Sequence, residues 1–382
     1  MVAVDTFENL LSESNMNLSE VAKRVGIPKG QLSTFVTSRG KKTIDFMYYL
    51  RAIRLLKPDQ EEKIMKASIP HFLRPKNLRI AMEYASTFNH FELQRVLYDI
   101  NVGLGRENKD FADIYWIYLA FQEKSKPYDE IQSELDEYTP KSDETKVMKK
   151  IVQASLQYVK KDYQGMYYLS KEIHIEVSKI KTEFLRESYM ARVSDLISRC
   201  YLFYKNDQKK ARFFANNLEK NEFSANRRIH SHYIKAMSEF FVDYDKCLNQ
   251  LREYQEELRQ QGNNALAEEI GQKEIPFLMN FWKEYSEWPG SNDEAEMAYY
   301  FVQNGESEKA LKILEGFDEL SPFQLYYKGL AKEDPKLLAA SFVEFMNSGN
   351  RFFANLPKSE LWKYESYGFF ADLLYNKAGN LF

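Results

Sequence analysis

The chain has 382 residues, 53 Lys and Arg against 56 Asp and Glu, and a net charge near −3. Gly and Pro together make up about 7% of it, against an average of roughly 12%, which argues against a β-sandwich, a barrel or a disordered chain. Apolar residues at 44%, with 26 Tyr and 27 Phe, suffice for helical layers packed by large rings. The length fits two or three domains or one elongated repeat array. The two cysteines, Cys200 and Cys247, form no zinc or disulfide spacing pattern. The N-terminus MVAVDTFENLLSESN lacks the basic start and apolar stretch of a signal peptide. No apolar run reaches the ~18 residues of a membrane span. A cytoplasmic protein in a reducing compartment, with no membrane partner, is expected.

Charge is uneven along the chain. Residues 1–57 hold nine Lys and Arg and five acids, whereas the remainder holds 44 basic and 51 acidic residues. A basic head on an acidic body is expected when only the head meets a polyanion. Within the head, residues 17–43 read NLSEVAKRVGIPKGQLSTFVTSRGKKT. Ser19 is the expected N-cap of a helix from Glu20, with Val21, Ala22 and Val25 on its apolar face. Gly26 ends that helix, Ile27 plugs the turn, and Pro28 sits where a first helical residue needs no N–H. A second helix over 29–38 should bury Leu32, Phe35 and Val36. Its outward residues Lys29, Gln31, Ser33, Thr34 and Thr37 are short, polar or basic, which suits base edges and phosphates in a major groove. Arg39, Lys41 and Lys42 follow as a phosphate clamp, and a helix over 44–56 closes the small domain. A helical hairpin with a solvated basic face is the plainer alternative. The order of AKRVGIPKGQLS and its basic tail resemble the repressor-type helix-turn-helix of phage and bacterial regulators.

After a linker over 58–75, residues 76–382 read as helix after helix. Five breaks look alike: 158–173, 204–218, 240–254, 301–314 and 329–342. Each has an aromatic or apolar helix end, a few polar residues, then an amphipathic helix. This is a degenerate form of the 34-residue tetratricopeptide pattern. Ala211 and Ala310 take the small position where paired helices cross, and Asn304-Gly305 forms a turn. One pair cannot bury its apolar face alone, so neighbours must stack. The fold class is therefore all-α, a helix-turn-helix domain followed by a right-handed tetratricopeptide-like superhelix whose concave face holds a peptide or a partner helix. Arg199 and Asn280 interrupt apolar helices. Arg227, Arg228, His230 and His232 open another, and Asn350 and Arg351 precede Phe352 and Phe353. Taken singly, each is a solvated or inter-repeat hydrogen-bonding residue. As a set, they suit a groove for peptide amides, carbonyls and a terminal carboxylate.

There is no phosphate loop, dinucleotide fingerprint or HExxH. His230 and His232 are poorly spaced for a metal, and no catalytic grouping stands out. Neither a cofactor nor an enzymatic activity is expected.

A basic helix-turn-helix on a tetratricopeptide body is the layout of peptide-sensing regulators of Gram-positive bacteria and their phages. The stretches 79–97, 277–288, 299–314 and 349–361 resemble the AimR family of arbitrium receptors of temperate Bacillus phages in order and spacing. That resemblance implies a homodimer whose peptide-free form binds double-stranded operator DNA and activates a regulator of lysis against lysogeny. A peptide of about six residues with an Arg-Gly-Ala-like tail would fill the groove and release the DNA. Family pocket positions fall at Arg199, Arg227, Ser238, Asn280, Glu296, Asn350 and Phe352. Arg227 and Phe352 fit the family pattern. Arg199 and Ser238 stand where amides are usual, so the peptide read here should differ. Glu296 is a partner for a peptide arginine by charge. Dimerisation through the C-terminal helix would use Phe370, Leu373 and Leu374, unless these cap the body instead. A host regulator that peptide activates, or a Rap-type module acting on phosphorelay proteins, are the alternatives. The Gly26-Ile27-Pro28 turn and the basic head argue against the Rap type.

Overall fold

The computed structural model describes residues 2–38, 44–72, 74–221, 223 and 225–380. Among the described residues there is helix and no strand. The helices in the first half are α1 (Val2–Glu13), α2 (Leu18–Val25), α3 (Lys29–Thr37), α4 (Phe46–Leu56), α5 (Glu61–Ser68), α6 (Pro75–Thr87), α7 (Phe91–Val102), α8 (Arg106–Glu123), α9 (Tyr128–Glu137), α10 (Asp143–Val159), α11 (Tyr163–Val177) and α12 (Glu183–Arg199). Those in the second half are α13 (Gln208–Glu219), α14 (Ala225–Arg228), α15 (His230–Glu239), α16 (Tyr244–Gln260), α17 (Asn264–Glu269), α18 (Ile275–Trp282), α19 (Glu294–Gln303), α20 (Ser307–Leu314), α21 (Pro322–Lys332), α22 (Pro335–Asn347), α23 (Asn355–Leu361) and α24 (Glu365–Asn380). They group into two compact units, residues 1–153 with 176–189, and residues 154–175 with 190–382.

In the first unit α2 and α3 form the expected helix–turn–helix. The N-cap of α2 is Asn17, two residues before the expected Ser19. Asn17 Oδ1 accepts from the Ser19 and Glu20 amides (3.0 and 3.1 Å), and the Glu20 carboxylate accepts from the Asn17 amide at 2.8 Å. This reciprocal box ties down amides that Ser19, inside the first turn, cannot reach. Gly26 closes α2 at φ 75°, a left-handed conformation that costs a Cβ-bearing residue about 1 kcal/mol or more. Pro28 precedes α3 as its cap. Val21, Ala22, Val25, Ile27, Leu32 and Phe35 are buried, whereas Val36, expected inside, is half-exposed. Phe35 meets Phe7 and Tyr49 edge-on, so α1 and α4 complete this core. Tyr49 shares a 2.7 Å hydrogen bond with Ser68. Burial pushes its phenol up to about 12.

The stretch 58–75, expected as a linker, is largely helical. Its α5 buries Ile64, Met65 and Ser68 and packs on α1 and α4. Pro58, Pro70 and Pro75 each sit in the first turn of a helical segment, where the missing N–H is harmless. Farther on, Glu83 is fully buried. It accepts hydrogen bonds from Thr87, Tyr115 and Ser188, which satisfy a carboxylate otherwise costly to bury.

In the second unit the expected breaks are helix–helix turns. The chain turns from α15 to α16 at 240–243, from α19 to α20 at 304–306 and from α21 to α22 at 333–334. Asp243 and Asp334 cap the helices that follow. Ala211 and Ala310 are fully buried where partner helices cross. Gly329 serves the same purpose in α21. A Cβ there would stand 2.9 Å from the Leu338 side chain and 3.0 Å from its backbone nitrogen. Two five-residue turns, Cys200–Tyr204 and Ile270–Glu274, are wider than α-helix and follow α12 and α17 directly. They re-aim the side chains that follow. Gly329→Ala should lower stability by about 1–3 kcal/mol in chemical denaturation, because the α21–α22 contact must open.

Candidate functional site

The head presents α3. Lys29, Gln31 and Thr37 are exposed, Ser33 and Thr34 are half-exposed, and the helix carries no acid in its first turn. Thr37 donates its hydroxyl to Ser33 O at 2.9 Å. Lys23 and Arg24 extend the exposed basic surface from the end of α2. Arg39, Lys41 and Lys42, the expected clamp, lie outside the described residues.

The polar candidates of the second unit form separate groups. Arg199, at the end of α12, donates Nε to Asp195 Oδ1 at 2.9 Å and Nη1 to the Tyr158 hydroxyl at 2.8 Å. Its guanidinium lies 4.9 Å over the Tyr158 ring and 5.5 Å over the Tyr233 ring. Arg227 approaches the other Asp195 oxygen at 4.0 Å. One carboxylate thus stands between two guanidinium groups. Burial alone would raise Asp195, but Arg199, His230 and Arg227 hold it below the ordinary carboxylate range. His230 is hydrogen-bonded to Tyr254 at 2.8 Å. Burial, then Arg199 and Arg227, push its imidazole down to about 4 against the pull of Asp195, so it is neutral at pH 7. Two guanidinium groups beside one carboxylate are chemistry that suits a carboxylate-bearing ligand.

Asn280 and Glu296 form the second group. Asn280 Nδ2 donates to Glu296 O at 3.0 Å and lies 3.4 Å from the Glu296 carboxyl. Asn280 Oδ1 is buried with no hydrogen-bond partner among the described residues. The Tyr327 hydroxyl donates to Glu296 Oε1 at 2.8 Å. Burial, helped by Asp293 and Glu274, pushes Glu296 up to about 8 in spite of these hydrogen bonds. It therefore keeps its proton at pH 7 unless a cation comes beside it.

The remaining candidates are packed into the protein. Ser238 donates to Lys235 O at 2.7 Å and accepts from Arg212 at 3.2 Å. Asn350 accepts from the Phe353 amide at 3.1 Å, fixing the turn before α23. Phe352 is 1% exposed and lies against Phe241 at 4.8 Å and Phe353 at 5.0 Å. On α24, Phe370 (50%) and Leu373 (42%) are exposed and Leu374 is half-exposed.

Sequence reading missed Asp195, Tyr158, Tyr233 and Glu274. Glu274 lies in GQKEIP, which reads as a solvated turn of helix. It ends the wide turn Ile270–Glu274, and burial with Glu269 nearby pushes it up to about 7. Among the described residues no group of three or more His, Cys, Asp or Glu could hold a metal ion. None of the described helices is long and apolar enough to cross a membrane.

The sequence profile of the AimR transcriptional regulator-like family matches residues 61–363. The chain belongs to this family. It is a family of transcriptional regulators rather than of enzymes. The chain is 22% identical over 369 residues to the AimR transcriptional regulator of Bacillus phage SPbeta, covering 92% of this chain and 94% of that one. It is 24% identical over 378 residues to the AimR transcriptional regulator of Bacillus phage phi3T, covering 93% and 96%. The solved structure described as phAimR-Ligand has the same fold, with a TM-score of 0.73 at 20% identity over 85% of this chain and 98% of that one. The AimR match spans α5 to α23, so it takes in every polar group described above in the second unit.

Glu296 makes stability pH-dependent. Folded, it keeps its proton to about pH 8, whereas the ordinary glutamate value is 4.5. Between these values the unfolded chain binds fewer protons, so folding weakens as pH rises from about 4.5 to about 8 and levels off above. Glu296→Gln should remove that part of the slope in urea denaturation at pH 6 and pH 8.5.

Proposed function

We propose that this chain is a dimeric, peptide-controlled, DNA-binding transcriptional regulator acting on phage lysis and lysogeny in the host cytoplasm. The peptide-free form binds operator DNA through α3 and activates transcription. A short peptide bound in the helical-repeat body releases it. The observation that carries this reading is the pair of complementary groups in the second unit. Arg199 and Arg227 around Asp195 offer guanidinium groups to a peptide carboxylate, and Glu296 offers a carboxyl to a peptide guanidinium. The solved relative described as phAimR-Ligand supports a ligand-binding body in this family. The helix–turn–helix geometry, with Lys29 and Gln31 exposed and Gly26 in the turn, supports DNA binding by the head. Exposed Phe370 and Leu373 on α24 support pairing of two copies there. As a domain division we retain a DNA-binding head ahead of the repeats, with the peptide site in the second unit.

The test is fluorescence anisotropy on DNA from the gene's own neighbourhood, with short peptides encoded beside it as competitors. Specific binding that one peptide abolishes supports the reading. Strengthening by peptide reverses the sign of the switch, and no specific binding at low salt overturns the DNA-binding head. Lys29→Glu should abolish operator binding while leaving peptide affinity unchanged. Wild-type operator binding should weaken steeply with salt. A peptide with an arginine beside Glu296 must displace the carboxyl proton. Its affinity should rise with pH by up to roughly tenfold per unit below about 8 and flatten above. In Glu296→Gln, calorimetry at pH 6.5 and 8.5 should show most of that rise gone.

A further inference from the structure

We propose that an aromatic, basic face of the second unit, formed by residues 163–175 of α11 and by residues 200–214, docks a short acidic segment of a protein partner. Its lysines are not among the residues that meet Asp195 or Glu296. These two stretches hold five basic residues (Lys171, Lys205, Lys209, Lys210, Arg212) and two acids (Glu172, Asp207), although the chain beyond the head is acidic overall.

The wide turn Cys200–Tyr204 builds the face. The Lys205 amide donates to Cys200 O, five residues back, at 3.0 Å. The turn brings Lys205 over two rings, with Nζ 4.7 Å from the centroids of both Tyr167 and Tyr204. Lys171 also lies 5.4 Å over Tyr167, and Lys210 lies 5.3 Å over Tyr201. Tyr201 stacks on Phe214 (5.5 Å, 9°) and meets Tyr167 edge-on at 6.0 Å.

Among the described residues neither Lys171 nor Lys205 has a carboxylate at ion-pair distance, and their partners are rings alone. Lys210 is answered by Asp207 at 3.3 Å and Arg212 by Glu239 at 2.9 Å. Burial, then Arg351, Lys171 and Lys210, lower the Lys205 amine. Two lysines without a carboxylate partner, beside further cations, are what an anionic ligand would stabilise.

Large apolar groups lie exposed beside these charges: Tyr168 at 45%, Phe213 at 59% and Ile175 at 61%. Cations flanked by exposed rings and an aliphatic side chain match a peptide that alternates acidic and apolar residues. A nucleic acid fits less well. Its phosphates would run on past the face onto an acidic body, whereas a short segment stays within a Debye length of about 8 Å of the lysines. Ile175 offers nothing to a base.

The experiment uses the full-length protein and a fluorescein-labelled peptide of alternating Glu and Leu with one Phe, read by anisotropy. Oligothymidylate and the matching Lys-Leu peptide are the comparison probes. Lys171 and Phe213 are exposed, so Lys171→Glu/Phe213→Ser should keep the wild-type melting curve. That variant and Lys171→Glu/Lys205→Glu should each weaken the acidic peptide at least tenfold, with Lys29→Glu leaving it unchanged. Loss with Lys29→Glu alone would place the peptide on the head and overturn the proposal. So would failure of the acidic peptide to bind above the Lys-Leu control, or tighter binding of oligothymidylate with the same variant losses. Dissociation of a dimer by Lys171→Glu/Phe213→Ser in sedimentation velocity would assign the face to a second copy and overturn it as well. None of these readouts depends on operator binding or on the peptide of the proposed switch.

Discussion

The second unit depends on burying the apolar face that each helical hairpin leaves open. Phe240 and Phe353 show how. Phe240, at the α15–α16 turn, lies 5.0 Å from Phe277 and 5.1 Å from Phe281. Phe353 lies 5.7 Å from Phe277, 5.0 Å from Phe323 and 5.9 Å from Phe203. The six rings come from five separate segments, so no hairpin is stable without its neighbours. Edge-on and stacked pairs at these distances add to area burial and fix orientation. Phe352 belongs to this mesh, and Asn350 holds the turn that places both rings.

Polar groups survive in such surroundings only when their partners are built in. Asp195 is held by Arg199 and faced by Arg227, and Arg199 in turn lies over two tyrosine rings. Glu296 takes the other course. Without a cation it keeps its proton and accepts from Tyr327. One group is charged, with two guanidinium groups beside its carboxylate, and the other is neutral until a cation arrives. Each side chain is set by burial and by its nearest charges. The two arrangements differ because, among the described residues, Asp195 has guanidinium groups at ion-pair distance and Glu296 has none.

The head follows a different logic. Its core is small, and α2 and α3 pack through short or aliphatic residues backed by Phe7, Phe35 and Tyr49. Asn17, Gly26 and Pro28 fix where the helices begin and end. The face of α3 stays polar because nothing in the core needs it. α5 belongs to the same packing through Ile64 and Met65.

Much of the fold was legible in the sequence because helix periodicity and turn chemistry are local. Gly26, Ile27, Leu32, Ala211 and Ala310 each declare their place by size or backbone freedom. The five recurrent breaks mark helix–helix turns for the same reason. The resemblance to AimR also lay in the order of residues, and the family match agrees with it. Ser19, Val36 and the stretch 58–75 were read differently. Asn17 reaches amides that Ser19 cannot, Val36 falls at the edge of the apolar stripe, and proline at a first turn looks the same in sequence as proline in a linker. Which polar residues meet was decided by tertiary structure alone. Asp195 sits four residues before Arg199 and reads as an ordinary helix-surface pair. Nothing local says that Arg227, Tyr158 and Tyr233 close around it. Glu274 reads as solvated until a five-residue turn changes its direction. Electrostatics and burial act through space, and neighbours distant in sequence set them.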